Sequence, residues 1–425
     1  VEGTAGAPFR LAANAKLEPK LWTAMLTGRT RGIEFRTTGP ARIVRGAGGY
    51  ELLPTRVDFG KGNARLAGTY GERFRLQTRL ERVDLDILNA FVPGYGLGGS
   101  ATGSLDFAQA TPNAFPNADA RLTITGFTRT TADAISEAVD VNFVGKLLPD
   151  GGEASAVFRQ KGTVIGRMNA SLRPLPPGSG DWIARLLESP LGGGLRYNGP
   201  AETLFSLAGQ RGQHLAGPIG VAADFSCRVA DPCVNGIVRG SNLTYEHHLY
   251  GLRLTAMALE GRFGGNRLTI DRLDARAGNG TVAAKGFIGL AAEAGYPMDI
   301  AIDVQNARLA RSEALSARAT GDLRLTKAAG QAALLSGTLK LPETRYKVIR
   351  EGAAQVPELT GVRFKPHRGA VRITGNEPAS PGQAMFGTVR LDVDLVAPER
   401  LYVSGMGLES EWKARFKIGG TTVSP

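Results

Sequence analysis

The chain has 425 residues, enough for two or three ordinary domains or for one extended repetitive one, and 57 of them are glycine. Hydrophobic residues make up 42% of it, which excludes a disordered polypeptide, and the many glycines indicate turns between short strands. The formal net charge of +12 is spread along the chain, without the aromatic-plus-basic clusters that bind single strands, so no nucleic-acid partner is expected.

Signals for helices are few and short. Residues 84–91 fit one helix, and residues 181–187 fit a second, behind a capping Asp181. A third is predicted from Gly199-Pro200 to about residue 208. We therefore divide the chain into an N-terminal β segment (residues 1–177), a helix-containing Pro/Gly-rich subdivision (residues 178–212) and a continuing β segment (residues 213–425).

The dominant pattern is strict alternation of apolar and polar residues, which is typical of strands with one wet face. It is clearest at residues 298–305, 389–396 and 412–419. Glycine or proline separates nearly every run, at an irregular spacing that excludes a solenoid of fixed repeat length. The candidate residues of the apolar face are Leu268, Ile270, Met298, Ile300, Ile302, Val304, Val389, Leu391, Val393, Leu395, Trp412, Ala414, Phe416 and Ile418.

The two cysteines, Cys227 and Cys233, flank an Asp231-Pro232 turn that can bring them together. A disulfide between them is predicted, with two buried free thiols as the alternative. If the bond forms, the chain folds in an oxidising compartment.

Signatures of catalysis and metal binding are weak. The stretch Gly94-Tyr-Gly96-Leu-Gly98-Gly99 has the letters of a dinucleotide fingerprint but no flanking strand and helix, and we interpret it as a turn. A zinc site from Cys227, Cys233, His247 and His248 is disfavoured, because adjacent strand residues point to opposite faces. Most carboxylates occupy the polar side of alternating strands. We expect no catalytic residue, no metal and no cofactor, and therefore no enzyme.

Several motifs resemble the TamB family. They are Trp182-x-x-x-Leu186-Leu187 followed by Ser-Pro-Leu-Gly-Gly-Gly-Leu-Arg-Tyr-Asn-Gly-Pro-Ala201, and Cys227-x5-Cys233-x-x-Gly236-x-x-Arg239-Gly240. The strand pair from Asn266 to Gly286 is similar to one that recurs in the family. The stretch from Ala397 to Glu409 resembles the entry to its C-terminal domain. The resemblance covers the chain from about residue 180 onwards, and the earlier part is compatible in pattern.

The resemblance implies a mostly β fold: an elongated sheet curled like a taco into a hydrophobic groove, a β-helical bridge with a few short helices. It implies a protein of the AsmA-like, bridge-like lipid transfer class that carries phospholipids through the periplasm between the inner and outer membranes of a Gram-negative envelope. The inner-membrane anchor and the region that docks an outer-membrane barrel partner are expected outside this segment. Two alternatives stay open: a scaffold that assists outer-membrane protein assembly by adding a β-strand, and a filled β-helix or adhesin-type structural protein.

Overall fold

The structure is a computed structural model, and it describes residues 2–4, 8–30, 33–46, 48–90, 96–111, 113–130, 135–176, 181–207, 213–247, 251–291, 294–311, 315–348 and 389–422. In this part of the chain the fold is mostly β, as the alternation predicts. Its 26 strands belong to one mixed sheet, and the α-helices number two, both short. None of the helices in these ranges is both long and apolar enough to cross a membrane.

The strands before the first α-helix follow one another with short connections. They are β1 (Glu2–Thr4), β2 (Pro8–Leu17), β3 (Leu21–Thr30), β4 (Ile33–Thr37), β5 (Ala41–Gly46), β6 (Gly49–Asp58), β7 (Asn63–Gly71), β8 (Phe74–Asp84), β9 (Leu97–Gln109), β10 (Asn117–Arg129), β11 (Val139–Leu148), β12 (Gly151–Gln160) and β13 (Thr163–Leu172). A 3₁₀ helix, Leu85–Ala90, separates β8 from β9.

Two α-helices and thirteen strands follow. The helices are α1 (Trp182–Leu187) and α2 (Ala201–Leu207). The strands are β14 (Leu191–Pro200), β15 (Gln213–Ala216), β16 (Pro218–Cys227), β17 (Pro232–His247), β18 (Leu252–Gly264), β19 (Arg267–Ala277), β20 (Gly280–Gly289), β21 (Met298–Arg311), β22 (Leu315–Lys327), β23 (Leu334–Lys340), β24 (Thr344–Lys347), β25 (Arg390–Gly405) and β26 (Leu408–Ile418).

The three predicted helices are all present, one of them in a tighter form. Asp181 caps α1 by accepting a hydrogen bond on its side chain from the Ala184 N–H at 2.7 Å, as its position before the helix predicts. The α2 helix follows Pro200, again as predicted. Residues 85–90 form a 3₁₀ rather than an α-helix, which is the common geometry for so short a connector.

The chain divides into two compact units. Unit 1 comprises Val1–Gly209, Pro218–Arg239 and Arg262–Asn266, and unit 2 comprises Gln210–Gly217, Gly240–Gly261 and Arg267–Pro425. In unit 1 an antiparallel meander runs from β5 to β14, each strand paired with the next, and β14 then pairs with β16. Strands β1, β2 and β3 precede it in the same antiparallel way.

Unit 2 contains the parallel part of the sheet. The succession β19, β20, β21, β22 and β23 is antiparallel, and β25 pairs antiparallel with β26. Both β23 and β24 pair with β25 in parallel. Parallel neighbours need a crossover connection of a dozen or more residues, and the stretch between Lys347 and Arg390 is long enough to provide one.

Bulges bend several of the long strands. In β8 and β21 the register shifts at Arg82 and Asn306, both of which have positive φ angles. The backbone N–H of each donates to a threonine hydroxyl on the neighbouring strand, Thr102 at 3.1 Å and Thr320 at 2.9 Å. A bulge increases the local twist and bends its strand, so these positions favour a curved sheet.

The structure describes only part of the glycine-rich stretch at residues 94–99. Gly94 and Tyr95 lie outside the described residues, whereas Gly98 and Gly99 belong to β9, which begins at Leu97. The interpretation of the whole stretch as a turn was therefore wrong for its second half. Strand β9 continues to Gln109, so no helix follows the glycines.

Candidate functional site

One face of the unit 1 sheet carries a line of apolar residues that crosses ten strands, from β6 to β16. Each member lies directly opposite the next in the strand register, so all point to the same side of the sheet. We call this line the unit 1 apolar row. Its members are Val57, Ala64, Leu80, Gly103, Leu122, Phe143, Ala156, Met168, Leu195 and Ala223. No polar side chain interrupts it.

Burial along the unit 1 apolar row depends on side-chain size. Its three alanines are buried, whereas the larger side chains of the row, Phe143 and Met168 among them, are only half-buried. At Gly103 the φ angle is +148°, and a Cβ atom would stand 1.9 Å from the Arg121 carbonyl oxygen, so this position requires glycine. The large apolar side chains of this face thus keep partial access to solvent.

Aromatic rings line one margin of the same face. The ring centroids of Tyr70 and Phe74 are 6.5 Å apart, those of Phe74 and Phe107 are 5.8 Å apart, and those of Phe107 and Trp182 are 6.4 Å apart. Phe107 stands opposite Leu76, which lies four residues from Leu80 of the row and therefore on the same face. Since Trp182 begins α1, this helix packs against the margin of the apolar face.

Unit 2 repeats the arrangement with two adjacent lines across seven strands, which we call the unit 2 apolar rows. The first contains Leu273, Ala284, Ile302, Leu323, Gly337, Val393 and Ile418. The second contains Ala275, Val282, Val304, Gly321, Leu339, Leu395 and Phe416. Parallel and antiparallel pairings both contribute, because both keep opposite residues on one face.

The structure brings most of the candidate residues together on this face. Ile270, Met298 and Ile300 pack with Ile288 in one buried cluster, and Leu268 is the register partner of Ile288. A larger cluster contains the remaining buried candidates, Val304 and Val393, with Ile302 and Leu395 packed against it. Val304 is only 1% exposed. The apolar face is therefore more deeply covered in unit 2 than along the unit 1 apolar row.

The candidates at the C-terminal edge are more exposed. Leu391 stands opposite Leu335, and Ala414 opposite Ala397, on the apolar side. Trp412 and Phe416 share that side but are 55% and 42% exposed. Val389 precedes β25, and its N–H donates to the Thr422 hydroxyl at 3.3 Å. Alternation predicted the side to which these residues point, but not the exposure of the two aromatic rings.

The opposite face is polar, and ion pairs connect side chains on its neighbouring strands. The Arg324 guanidinium donates two hydrogen bonds to the Asp299 carboxylate, at 2.8 and 2.6 Å, and these bonds lower the pKa of Asp299. Lys417 lies 2.8 Å from Asp392, and the hydrogen bond between them raises the pKa of Lys417. These aspartates hold cross-strand partners, as a solvated face requires.

One basic side chain, that of Lys327, lies at the end of the apolar face of unit 2. Lys327 is the register partner of Met298 and is half-buried. Burial lowers the pKa of Lys327. A long side chain of this kind covers apolar surface with its methylenes while its ammonium group stays near water.

The cysteines form the predicted disulfide. Cys227 at the end of β16 is bonded to Cys233 in β17, with their Cα atoms 5.4 Å apart. The alternative of free thiols is excluded, and so is a zinc site that uses these thiolates. His247 ends β17 with its Nδ1 atom buried, and His248 lies outside the described residues. No set of metal-ligating side chains large enough to hold an ion occurs in the described ranges.

The unit 1 apolar row is the set of apolar residues that the sequence analysis missed. Leu122 and Ile124 alternate with polar residues in β10, but the candidate residues all lie from residue 268 onwards. The run from Val139 to Phe143 alternates as clearly, with Asp140 and Asn142 between its apolar residues. A glycine in several strands replaces an apolar side chain and weakens the signal in each single strand.

Part of the chain matches a known protein family. The family model described as the TamB C-terminal domain matches residues 271–425, which include β20 to β26 and every member of the unit 2 apolar rows. No curated protein and no solved structure matches the chain significantly. The match covers the alternating strands that carry the sequence resemblance between residue 271 and the end. Residues 271–425 are thus similar to the TamB C-terminal domain, which supports a TamB family assignment.

Proposed function

We propose that this chain is part of a periplasmic bridge that carries phospholipids between the inner and outer membranes along the apolar faces of its sheet. The unit 1 apolar row supports the proposal most strongly, because it combines unbroken apolar character with large side chains that stay partly accessible. At about 4.8 Å per strand, its nine steps make a path of roughly 43 Å along the sheet.

The energetics of lipid transfer explain why such a face is useful. Exposing an acyl chain to water costs about 0.8 kcal/mol per methylene, so a chain of roughly 16 carbons costs more than ~10 kcal/mol. An apolar track removes most of that barrier, while the head group stays in water. Lys327, at the end of the apolar face in unit 2, has the charge to meet a lipid phosphate.

The match to the TamB C-terminal domain supports the setting. TamB proteins are periplasm-spanning components of a transport or assembly module of the cell envelope, and they work with an outer-membrane partner. The disulfide is consistent with a periplasmic location, because such bonds persist in oxidising compartments. We propose phospholipids as the cargo and an outer-membrane barrel as the partner of the full-length protein, which its own anchor holds at the inner membrane.

A lipid-binding assay tests the cargo. The purified chain is incubated with phospholipid vesicles, re-isolated and examined by native mass spectrometry for bound lipid. Met168→Glu places a carboxylate on the half-buried apolar row, and we expect it to reduce bound lipid several-fold, because an unpaired charge on an apolar track disfavours acyl chains. Asn169→Glu puts the same charge on the opposite face and should leave binding unchanged. Equal loss in both variants, or a folded wild-type chain without bound lipid, would contradict the proposal.

The edge of the sheet supports a second candidate function, the scaffold that adds a strand. In the part of the chain that the structure describes, β26 pairs along its length with β25 alone, and Trp412 and Phe416 stand exposed on it. A free edge of eleven residues is a template for another strand. A photo-crosslinker at Lys413 should then capture an outer-membrane protein in cells. Capture of no protein from that position would reject this candidate and leave the lipid proposal untouched.

A further inference from the structure

A concavity of about 510 Å³ lies on unit 1, formed by β13, β14, β16 and β17. The outward positions of β16 are Gly220 and Ala222, so its middle has almost no side chain to fill the space. Longer side chains surround this floor, among them Arg196 and Asn198 on β14 and Arg239 on β17. The register places Arg196 opposite Arg167 and Ala222, on the side away from the unit 1 apolar row.

The walls of the concavity are strongly basic. Its lining contains Arg167, Arg196 and Arg239 and, among the described residues, no carboxylate. Arg196 is held in place, since it donates to the carbonyl oxygens of Leu195 at 3.1 Å and Ala223 at 3.0 Å and to Asp224 at 2.6 Å.

The other two arginines keep their charge unmatched. Arg167 and Arg239 make no ion pair within the described part of the chain, and both are exposed. Arg167 lies directly opposite Arg196 across the β13–β14 ladder, and Asp224 balances the charge of Arg196 but not that of Arg167. The arrangement therefore favours an anion, and two unmatched positive charges suit a doubly charged one.

Apolar side chains stand among these arginines. Val164 is 38% exposed and Ile237 is 40% exposed, and both line the concavity. They point to the polar face, where the alternating pattern otherwise places charged or hydroxyl side chains. A ligand with both an anionic and an apolar part would cover them while it pairs with the arginines.

We propose that this concavity binds an amphipathic phosphate, a phosphomonoester with an alkyl group. Guanidinium groups bind phosphate oxygens through paired N–H donors, and the shallow floor over Gly220 and Ala222 admits the ester. The alkyl part contacts Val164 and Ile237. This site lies on the face opposite the apolar row, and the proposal does not rest on lipid transport.

Calorimetric titration with hexyl phosphate tests the site, with inorganic phosphate and hexanol as partial ligands. We expect saturable binding of hexyl phosphate, at least tenfold weaker binding of inorganic phosphate and no measurable binding of hexanol. In the double variant Arg167→Gln/Arg239→Gln the affinity should fall at least tenfold.

A filling variant separates the shape of the site from its charge. A Cβ atom at Gly220 would come no closer than 3.9 Å to the carbonyl oxygens of Tyr197 and Arg239, so Gly220→Val fits the strand and occupies the floor. It should abolish binding while all three arginines remain. Arg79→Gln removes an exposed arginine of unit 1 that is not in the lining and should leave binding unchanged. Circular dichroism and thermal midpoints confirm that each variant is folded.

Three results would overturn the proposal. The first is wild-type protein without saturable binding of hexyl phosphate. The second is inorganic phosphate binding as tightly as hexyl phosphate, which would make free phosphate the ligand. The third is unchanged affinity in folded Gly220→Val or in the double arginine variant.

Discussion

The side chain of Val304 is among the largest that are fully buried in the described part of the chain, and it lies in the middle of a unit 2 apolar row. Replacement of Val304 by alanine removes two methyl groups from a packed cluster and should lower the free energy of unfolding by about 2 kcal/mol. Gln305→Ala, at the exposed neighbouring position, should change it by less than about 0.5 kcal/mol. Denaturant titration measures the free energy of unfolding of both variants. Equal losses would mean that alternate residues of this strand do not differ in burial.

The ion pair of Asp299 and Arg324 makes a prediction about pH. Hydrogen bonds from Arg324 lower the pKa of Asp299 in the folded state. A carboxyl whose folded pKa is lowered stabilises the fold above its unfolded pKa, and this contribution disappears as the pH falls through the folded pKa. Replacement of Arg324 by glutamine should move the pKa of Asp299 upward. An NMR titration of the Asp299 carboxyl measures it, and an unchanged pKa would show that the pair does not form in solution.

At the residue scale, the sequence predicts the face to which a side chain points better than it predicts how deeply that side chain is buried. Alternation placed Met298, Val304 and Val393 on one face, and the structure buries all three. It also placed Trp412 and Phe416 there, yet both rings are exposed. Their strand, β26, pairs along its length only with β25 in the described ranges, and a period of two carries no information about how many neighbours a strand has.

Glycines determine how closely the strands of unit 2 can pack. At Gly286 the φ angle is +153°, and a Cβ atom would stand 2.1 Å from the Asp299 carbonyl oxygen. Gly286→Ala should therefore destabilise the chain by about 2 kcal/mol or more, through strain in both strands. Gly264, also in a strand, has nothing within 4 Å of the equivalent point, so Gly264→Ala should be nearly neutral. Thermal unfolding of the two variants tests this, and a Gly286→Ala variant as stable as the Gly264→Ala control would contradict it.

The disulfide joins the ends of β16 and β17 and closes a small loop. On the chain-entropy model a loop of this size contributes about 2 kcal/mol. Replacement of Cys227 and Cys233 by serine should reduce the free energy of unfolding by that amount. Reductant should have the same effect on the wild type and none on the double variant. Mass spectrometry of unreduced peptides from periplasmic material should show the bond, and two thiols open to alkylation would refute it.

At the scale of helices and strands, the sequence predicted the features that depend on neighbouring residues. It did not predict pairing between strands that are distant in sequence. The Asp181 cap, the helix after Pro200 and the disulfide around Asp231-Pro232 each follow from neighbouring residues. The parallel pairing of β23 and β24 with β25 depends on a connection longer than 40 residues, whose path no local signal predicts. Bulges at Arg82 and Asn306 depend on threonines in the next strand for the same reason.

At the scale of the whole chain, the central claim is that the apolar faces bind lipid. Alternation requires an apolar face whether it encloses an open track or a filled interior, so sequence alone cannot separate the two. The depth of burial adds information within each unit: Val304 and Leu339 are buried in unit 2, whereas Phe143 and Met168 are only half-buried in unit 1. The groove, its cargo and the division at residues 178–212 stay predictions.

Photo-crosslinking from neighbouring residues that point to opposite faces of the same strand tests that claim most directly. A photoreactive residue is introduced at Phe143 or Phe416, on the apolar side, and in matched proteins at Asn142 or Arg415, on the polar side of the same strands. After irradiation in cells, mass spectrometry identifies what each position has captured. We expect phospholipid at Phe143 and Phe416 and none at Asn142 and Arg415. Equal capture at both parities, or capture at neither in a protein shown to be folded, would contradict the account.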